Sequence, residues 1–248
     1  MRPTATLLYG RPKIGKTTAA ITWPKPVFIV PGQEKGTASL HAAKKLHGVD
    51  YEVDILEVSS IADMEDALQI VQTEYEKKGW RTVVLDPWTS YSLIAEIEMR
   101  EGFSGKDTRQ MYGELRQHQL NVWRALQGLP LHTLWICHET TDDSPMAVKG
   151  PWAVGSAIKV LMANVDLIAY MMLKTVAVRD AEGELKKDKD GQVITKDQRV
   201  IITREFPEEV FGREFEANAR WNDLLPEGVY TPKWSAFAKR LKSVAKVD

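Results

Sequence analysis

The stretch Gly10-Arg11-Pro12-Lys13-Ile14-Gly15-Lys16-Thr17 decides the fold that we predict for this chain. It fits the pattern G-x-x-x-x-G-K-[ST] and lies between an apolar run and a segment of helical composition. Glycines let a backbone curve around phosphate, successive N–H groups point inward, and the start of a helix adds the positive end of its dipole. The stretch therefore predicts a phosphate-binding loop, or P-loop. Its predicted contact residues are Gly10, Arg11, Pro12, Lys13, Ile14, Gly15, Lys16, Thr17 and Thr18.

Two side chains of the loop and one acid downstream predict a nucleoside triphosphate with magnesium. In such loops the lysine, here Lys16, bridges the outer phosphates, and the hydroxyl, here Thr17, ligates Mg²⁺. Asp86 follows the apolar strand Thr82 to Leu85, where P-loop NTPases carry the Walker B carboxylate that supports the metal. We therefore expect ATP and Mg²⁺ as cofactors, with Thr17 and Asp86 at the metal. The alternative for Asp86 is an N-cap of the helix that follows Pro87.

Strands and helices alternate along roughly the first 172 residues, and the strands are almost continuously apolar. Strands of this kind are buried on both faces, which is typical of a parallel sheet covered by helices on each side. We predict a doubly wound α/β core. The predicted strands are Thr4–Tyr9, Pro26–Val30, Tyr51–Val58, Thr82–Leu85 and Thr133–Cys137, and the predicted helices are Gly15–Ile21, Gly36–Leu46, a helix capped by Ser60, Tyr91–Met99 and Tyr112–Leu126.

The chain changes character after this core. Two β-rich arms, Thr175–Val178 and Arg199–Thr203, flank a charged segment, which predicts a late β hairpin with an exposed tip at about residues 179–199. Trp234 to Val247 has the pattern of a basic amphipathic helix. We predict an ATPase core at 1–206 and an extension with a C-terminal helix at 207–248.

Composition narrows the class of protein but favours no partner. Hydrophobic residues make up 44% and charged residues 27%, and the formal charge of -1 is ordinary for a globular domain. Nothing approaches the run of roughly 18 apolar residues that a membrane span needs, so we expect no membrane partner and a cytoplasmic location. Cys137 is the one cysteine, which excludes an intramolecular disulfide, and we expect it to be buried and reduced.

The residues that act on the attacking water should lie at the carboxyl ends of the strands, where open α/β sheets bind ligands. Glu34, just beyond the second strand, is the candidate catalytic base, because Asp86 is followed by proline and not by glutamate. The alternative for Glu34 is an acid favoured by a helix N-terminus. His138 ends the strand Thr133–Cys137 and is the candidate sensor of the γ-phosphate, with Glu139 as a rival.

The order of these motifs resembles the RecA-type recombinase core, and more closely the short phage RecA-like single-strand annealing proteins. The resemblance covers about residues 4–206. The sequence departs from the common recombinase loop at Pro12-Lys13. The resemblance itself rests on Gly10 to Thr17, Val30-Pro31-Gly32-Gln33-Glu34, Val83-Val84-Leu85-Asp86 and Leu134-Trp135-Ile136-Cys137-His138.

The resemblance implies a RecA-like ATPase in which ATP at subunit interfaces controls binding to single-stranded DNA. The DNA-facing loops would fall at Gly102–Met111 and Glu139–Gly155. The implied partners are single-stranded DNA, further copies of the chain in a homo-oligomer, and a single-strand binding protein of a bacterial host. The implied contacts are Lys106, Arg109 and Lys149 with phosphates, Trp152 stacked on a base, and Arg204 on the neighbouring subunit's γ-phosphate.

The sequence thus favours an ATP-dependent single-stranded DNA-binding protein that promotes annealing or recombination, with DNA-stimulated ATP hydrolysis. One alternative is a P-loop kinase of nucleotides or polynucleotide ends, with Arg109 and Arg116 in a lid. Another is a nucleotide-binding adaptor or assembly ATPase that docks through the basic terminal helix around Lys239, Arg240 and Lys242.

Overall fold

A central, mostly parallel β-sheet organises the chain. The computed structural model describes residues 3–32, 37–103, 108–141, 148–180, 182–206, 216–219, 225 and 227–236. The strands are β1 (Ala5–Gly10), β2 (Pro26–Pro31), β3 (Ile55–Val58), β4 (Thr82–Leu85), β5 (His132–Glu139), β6 (Pro151–Trp152), β7 (Leu167–Ala177), β8 (Thr195–Ile202), β9 (Asn218–Ala219) and β10 (Val229–Tyr230). The helices are α1 (Lys16–Ala20), α2 (Thr37–His47), α3 (Ile61–Lys78), α4 (Trp88–Gly102), α5 (Thr108–Gln127) and α6 (Ala157–Asn164).

The strand order places the P-loop strand near the middle of the sheet. Along the main path the order is β10-β8-β7-β1-β5-β4-β2-β3, and β6 and β9 pair with β5 and β7. The strands from β7 to β3 are parallel, whereas β8 and β10 are antiparallel to their neighbours. A single strand, β5, therefore separates β1 from β4, the strand that precedes Asp86.

Helices cover both faces of this sheet, and each face has its own core. One core contains Ala19 and Ala20 of α1 and Leu40 of α2, packed on Leu8, Phe28 and Ile136 of the strands. The opposite core contains buried residues of α3, α4, α5 and α6, among them Met64, Tyr91, Leu115 and Leu161. We call these the α1 face and the α3 face. The predicted α/β sheet covered on both sides is confirmed, and its arrangement fits a P-loop NTPase core.

The element boundaries differ from the prediction where the local sequence gives a weak signal. α4 begins at Trp88, three residues earlier than predicted, directly after Pro87 at its N-cap. α5 begins at Thr108, and its first three residues are exposed, so no apolar spacing marks that turn. The short helix α6 was not predicted, because eight mostly apolar residues are too few to show a helical period. By contrast, Ser60 caps α3 as predicted, accepting from the Asp63 N–H at 3.0 Å.

The late hairpin is confirmed, and its arms are longer than predicted. β7 and β8 pair from Tyr170↔Ile202 to Ala177↔Thr195, which leaves residues 178–194 as the tip. β9 and β10 lie beyond the predicted boundary at residue 206, yet both pair with strands of the core sheet. The predicted C-terminal helix begins at Trp234, and its residues from 237 onward lie outside the described part of the chain.

Two further expectations concern membrane segments and the cysteine. None of the helices in the described ranges combines the length and the apolar character that crossing a bilayer requires. Cys137 is fully buried in β5, and burial raises the pKa of its thiol to about 12. This thiol therefore stays protonated and unreactive at neutral pH, as predicted for a structural cysteine.

His132, at the start of β5, makes folding stability depend on pH. Burial lowers the pKa of its imidazole to about 4, and Nδ1 accepts the Thr4 N–H at 3.1 Å. The unfolded chain takes up this proton near pH 6.5, but the folded chain does so only near pH 4. The stability from this group is therefore complete above pH 6.5 and falls by about 3 kcal/mol as the pH drops towards 4.

We predict that His132→Gln removes this part of the acid sensitivity. Urea unfolding of both proteins at several pH values between 7 and 4 measures it. The carboxyl groups that the two proteins share cancel in the comparison. The difference in unfolding free energy between the two proteins should narrow by about 3 kcal/mol over that range. Parallel profiles would contradict the burial of a neutral His132.

Candidate functional site

The P-loop begins at the carboxyl end of β1 and leads into α1. Gly10, the last residue of β1, has φ 154, and a Cβ there would lie 2.3 Å from the carbonyl oxygen of Met171. Gly15 caps α1 with φ 104, in the left-handed region that glycine adopts readily. Both pattern glycines are therefore required by the backbone, one by the close approach of β7 and one by the turn into the helix.

The side chain of Lys16 lies inside the loop. Its Nζ donates to the carbonyl oxygens of Gly10 and Arg11, each at 2.8 Å, and the residue is 6% exposed. The rim is open, because Arg11, Pro12 and Lys13 are exposed. The structure thus holds the ammonium group at the floor of the loop, where the outer phosphates of a nucleotide would meet it.

Asp86 and His138 lie on the same side of the sheet as the P-loop. Side chains alternate along a strand, and Leu8, Val84 and Ile136 all belong to the core of the α1 face. Gly10, Asp86 and His138 each follow one of these residues by two positions, and the Asp86 N–H is still bonded to Ile29 of β2 at 3.0 Å. The three motifs predicted from separate parts of the sequence therefore converge on one face at one edge.

Glu139, the rival to His138, occupies the opposite side. Its Oε2 accepts from the Tyr170 hydroxyl at 2.9 Å, and Oε1 lies 3.3 Å from the Arg11 Nε. The Tyr170 ring stacks on Tyr9 with centroids 4.9 Å apart, and both tyrosines belong to the core of the α3 face. Glu139 thus links the buried Tyr170 to the exposed Arg11 of the loop, while His138 is the strand-end group on the P-loop side.

The donor chemistry at this edge fits magnesium. Thr17 lies in the first turn of α1 and supplies a hydroxyl, and Asp86, 8% exposed, supplies a carboxylate. Hard oxygen donors of this kind suit Mg²⁺, which completes its shell with water and phosphate oxygens. The described residues hold no group of three or more His, Cys, Asp or Glu side chains suited to a metal.

Comparison with known families decides the class. A family model described as AAA domain matches residues 2–213. The chain belongs to this AAA domain family. No curated protein matches the chain. Membership supports a nucleotide-binding P-loop ATPase, which normally works with Mg²⁺, whereas the closer resemblance to phage RecA-like proteins stays a prediction.

In this AAA domain the Thr89 hydroxyl links the end of β5 to β6. The Thr89 hydroxyl, at the start of α4, accepts the His138 N–H at 2.9 Å and donates to the Trp152 carbonyl at 2.7 Å. Trp152 also pairs with His138 in the antiparallel β5–β6 ladder. The His138 N–H and the Trp152 carbonyl are therefore joined through one hydroxyl as well as through the β5–β6 pairing.

The residues predicted to contact DNA differ in exposure. Arg109 is exposed in the first turn of α5, and Trp152 is 37% exposed. Lys149 is 5% exposed, and its carbonyl accepts the Tyr9 hydroxyl at 2.8 Å, so this conformation does not present it to a ligand. Lys106, predicted as a phosphate contact, and Glu34, predicted as the base, lie outside the described residues.

The structure does not bring Arg204 to the site of its own chain. Because β8 runs antiparallel, Arg204 lies three residues beyond Ile201 towards the edge opposite the P-loop. It is exposed there, with Cζ 4.8 Å from the centre of the Phe206 ring. Contact with a neighbouring subunit's nucleotide stays a prediction.

Sequence reasoning missed Arg199, which lies against the loop. A Cβ on Gly15 would be 3.2 Å from the Arg199 Nε, and Arg199 shares the α1 face with Ile201. It lines a cavity of about 480 Å³ beside the P-loop, together with Thr18, His47 and Leu173. Its only sequence signal was a basic residue directly before the apolar segment Val200–Ile202, which is too common to single out.

We predict that the AAA domain tolerates no side chain at Gly10. Gly10→Ala should lower the free energy of unfolding by about 2 kcal/mol, because the new Cβ overlaps the Met171 carbonyl and the backbone is strained. Gly113→Ala is the matched control, since nothing lies within 4 Å of its Cβ inside α5, and it should stabilise by about 0.5 kcal/mol. Chemical denaturation measures both, and equal effects would contradict the close approach of β1 and β7.

Proposed function

We propose that this AAA domain binds and hydrolyses ATP with Mg²⁺ and couples the nucleotide to binding of single-stranded DNA, in annealing or recombination. The observation that carries the nucleotide part is the convergence of Lys16, Asp86 and His138 on one face of the sheet edge. In this proposal Glu34 activates the attacking water, and His138 reports the γ-phosphate.

The nucleotide enters with its phosphates over the P-loop and its nucleoside in the adjoining cavity. Gly15 and Thr18 border both spaces, so a chain of phosphates leads from one into the other. Apolar Met171 and Leu173 offer a surface for the base, and Arg199 and Lys196 supply positive charge at the rim. Burial and the positive charge of Lys233 lower the pKa of His47, so its imidazole is neutral at pH 7.

The DNA part rests on the Thr89 link. DNA bound at the loop between β5 and β6 would stack a base on Trp152, whose carbonyl is tied through Thr89 to the His138 N–H. A change at the γ-phosphate would thereby alter the position of the stacking surface. Arg109 would contribute a phosphate contact, and oligomerisation would present Arg204 to a neighbour's nucleotide. A single-strand binding protein would be a further partner.

A DNA-binding measurement tests the coupling. We predict that fluorescence anisotropy shows salt-sensitive binding of labelled single-stranded DNA in the presence of a non-hydrolysable ATP analogue, and that Lys16→Ala loses the dependence on nucleotide. Trp152→Ala should weaken DNA binding by about tenfold, the usual value of one base stacked on an aromatic ring. Salt dependence follows from release of counterions at neutralised phosphates.

Ile97→Ala is the control for the Trp152 variant, because Ile97 is an exposed apolar residue, 55% accessible, on α4. It should bind DNA as the wild type does. Absence of DNA binding at low salt, with and without the analogue, would refute the DNA part. The ATPase part would survive that result if phosphate release persisted in the wild type and stopped in Lys16→Ala.

A second measurement tests the nucleoside cavity. We predict that Arg199→Ala raises the dissociation constant of a fluorescent ATP analogue by about tenfold, since hydrogen bonds to charged groups contribute at least that much. Lys196→Ala removes the same charge from the rim of the cavity and should change the constant by less than about threefold. Equal effects of the two variants would place Arg199 outside the nucleotide's contacts.

A further inference from the structure

The tip of the β7–β8 hairpin contains an eight-residue sequence repeat. Val178–Leu185 reads VRDAEGEL and Lys186–Val193 reads KKDKDGQV, so both share a basic residue, an aspartate, a glycine and an apolar residue at equal positions. Each repeat forms a small hairpin of its own, closed by a bridge between Arg179 and Leu185 in one and between Lys187 and Val193 in the other. We call them the first lobe and the second lobe.

The two lobes use the same hydrogen bonds. In the first lobe the Asp180 N–H donates to the Glu184 carbonyl at 3.0 Å, and the Asp180 carboxylate accepts the Glu184 N–H at 2.8 Å. In the second lobe the Asp188 N–H donates to the Gln192 carbonyl at 2.8 Å, and its carboxylate accepts the Gln192 N–H at 2.9 Å. The repeat in sequence is therefore a repeat in structure.

Three backbone hydrogen bonds close the lobes onto the end of the hairpin. The Lys186 N–H donates to Val178, the Ile194 N–H to Lys186, and the Val178 N–H to Ile194, at 2.8, 2.9 and 2.9 Å. These three bonds form a closed ring that joins both lobes to the ends of β7 and β8.

Each lobe exposes an apolar side chain at the equivalent position. Leu185 is 41% exposed and Val193 is 40% exposed, and Ile194 beside the ring is 40% exposed. The strand residues below the tip, Thr195 to Asp197, are exposed as well, so the tip stands away from the body of the sheet. Apolar side chains grouped on a projecting element are typical of a contact with another macromolecule.

The lobes carry opposite charge. The first lobe has one basic and three acidic residues, Arg179 against Asp180, Glu182 and Glu184, for a net charge of -2. The second has three basic and two acidic residues, Lys186, Lys187 and Lys189 against Asp188 and Asp190, for a net charge of +1. The tip of the hairpin therefore presents an acidic lobe and a basic lobe side by side, and the two lobes are complementary in charge.

We propose that the double lobe is a self-association surface, and that its occupant is the double lobe of a second copy of this chain. A two-fold axis between two tips places the first lobe of each copy on the second lobe of the other. Opposite charges then meet twice, and Leu185 and Val193 become covered. The first lobe's acidic character disfavours a nucleic acid, whose phosphates it would repel.

This contact adds a specific surface to the proposed homo-oligomer, and it does not depend on ATP or DNA. The interface is small, so we expect an association that weakens as salt screens the charges. Sedimentation velocity without nucleotide, over a range of protein concentrations, measures it in the full chain. ATP binding and hydrolysis, measured separately, keep a failure here distinct from a failure of the proposed function.

Charge reversal followed by mixing is the decisive test. The first variant, Glu182→Lys with Glu184→Lys, makes both lobes positive, and the second, Lys187→Glu with Lys189→Glu, makes both negative. We expect each alone to weaken self-association by at least about tenfold. Mixed in equal amounts, they should recover the wild-type association, because each lobe then meets one of opposite charge on the other variant.

A control separates this effect from a change in total charge. Glu101→Lys with Glu114→Lys, on exposed positions of α4 and α5, alters the net charge as the first variant does and should leave association unchanged. Three results would overturn the proposal: a wild type that stays monomeric up to about 100 µM at low salt, single variants that associate normally, or a mixture that fails to recover. Circular dichroism on each variant checks that the fold is retained.

Discussion

Everything at the ligand edge depends on the hydrogen bonding of β1 along both of its sides. β5 pairs with it in parallel from Ala5 to Gly10 and β7 from Thr6 to Gly10, and all six of its residues are buried. The first residue of the P-loop therefore starts from a position fixed by two ladders. Because β4 pairs with β5, and β5 pairs with β1, backbone pairing fixes where the end of β4 and Asp86 lie relative to the loop.

Side chains alternate between the two faces along a strand, and this separates two residues of β5 that are adjacent in sequence. His138 and Glu139 are the last two residues of β5, and the sequence favoured His138 as the sensor, with Glu139 as a rival. Their side chains lie on opposite faces of the sheet, and Glu139 accepts from the Tyr170 hydroxyl and forms an ion pair with Arg11. The histidine is left on the side of Lys16 and Asp86. The period of two residues along a strand thus puts the histidine on the face that Gly10 and Asp86 share, and its role as the sensor stays a prediction.

Much of this arrangement could be predicted because it rests on local patterns. The P-loop spacing and the apolar strands depend only on residues that are close together in the sequence. β4 was predicted with its observed bounds. Arg199 could not be found in that way, since its position over Gly15 follows from the register of an antiparallel strand more than 180 residues away. The burial of Lys149 was not evident from the sequence either, because distant segments meet there: Tyr9 of β1 donates to the Lys149 carbonyl. Long-range pairing, not local propensity, decides such cases.

The hydrogen bonds of Lys16 affect which ligands the loop can accept. Its ammonium group already has two good carbonyl partners, at Gly10 and Arg11, so any ligand must compete with acceptors that are fully positioned. A single phosphate offers little more than those carbonyls do. Two consecutive phosphates offer several anionic oxygens and also engage the amides of the loop. A lysine held in this way would favour ligands that carry several anionic oxygens, such as di- and triphosphates, over a monophosphate, whatever base they carry.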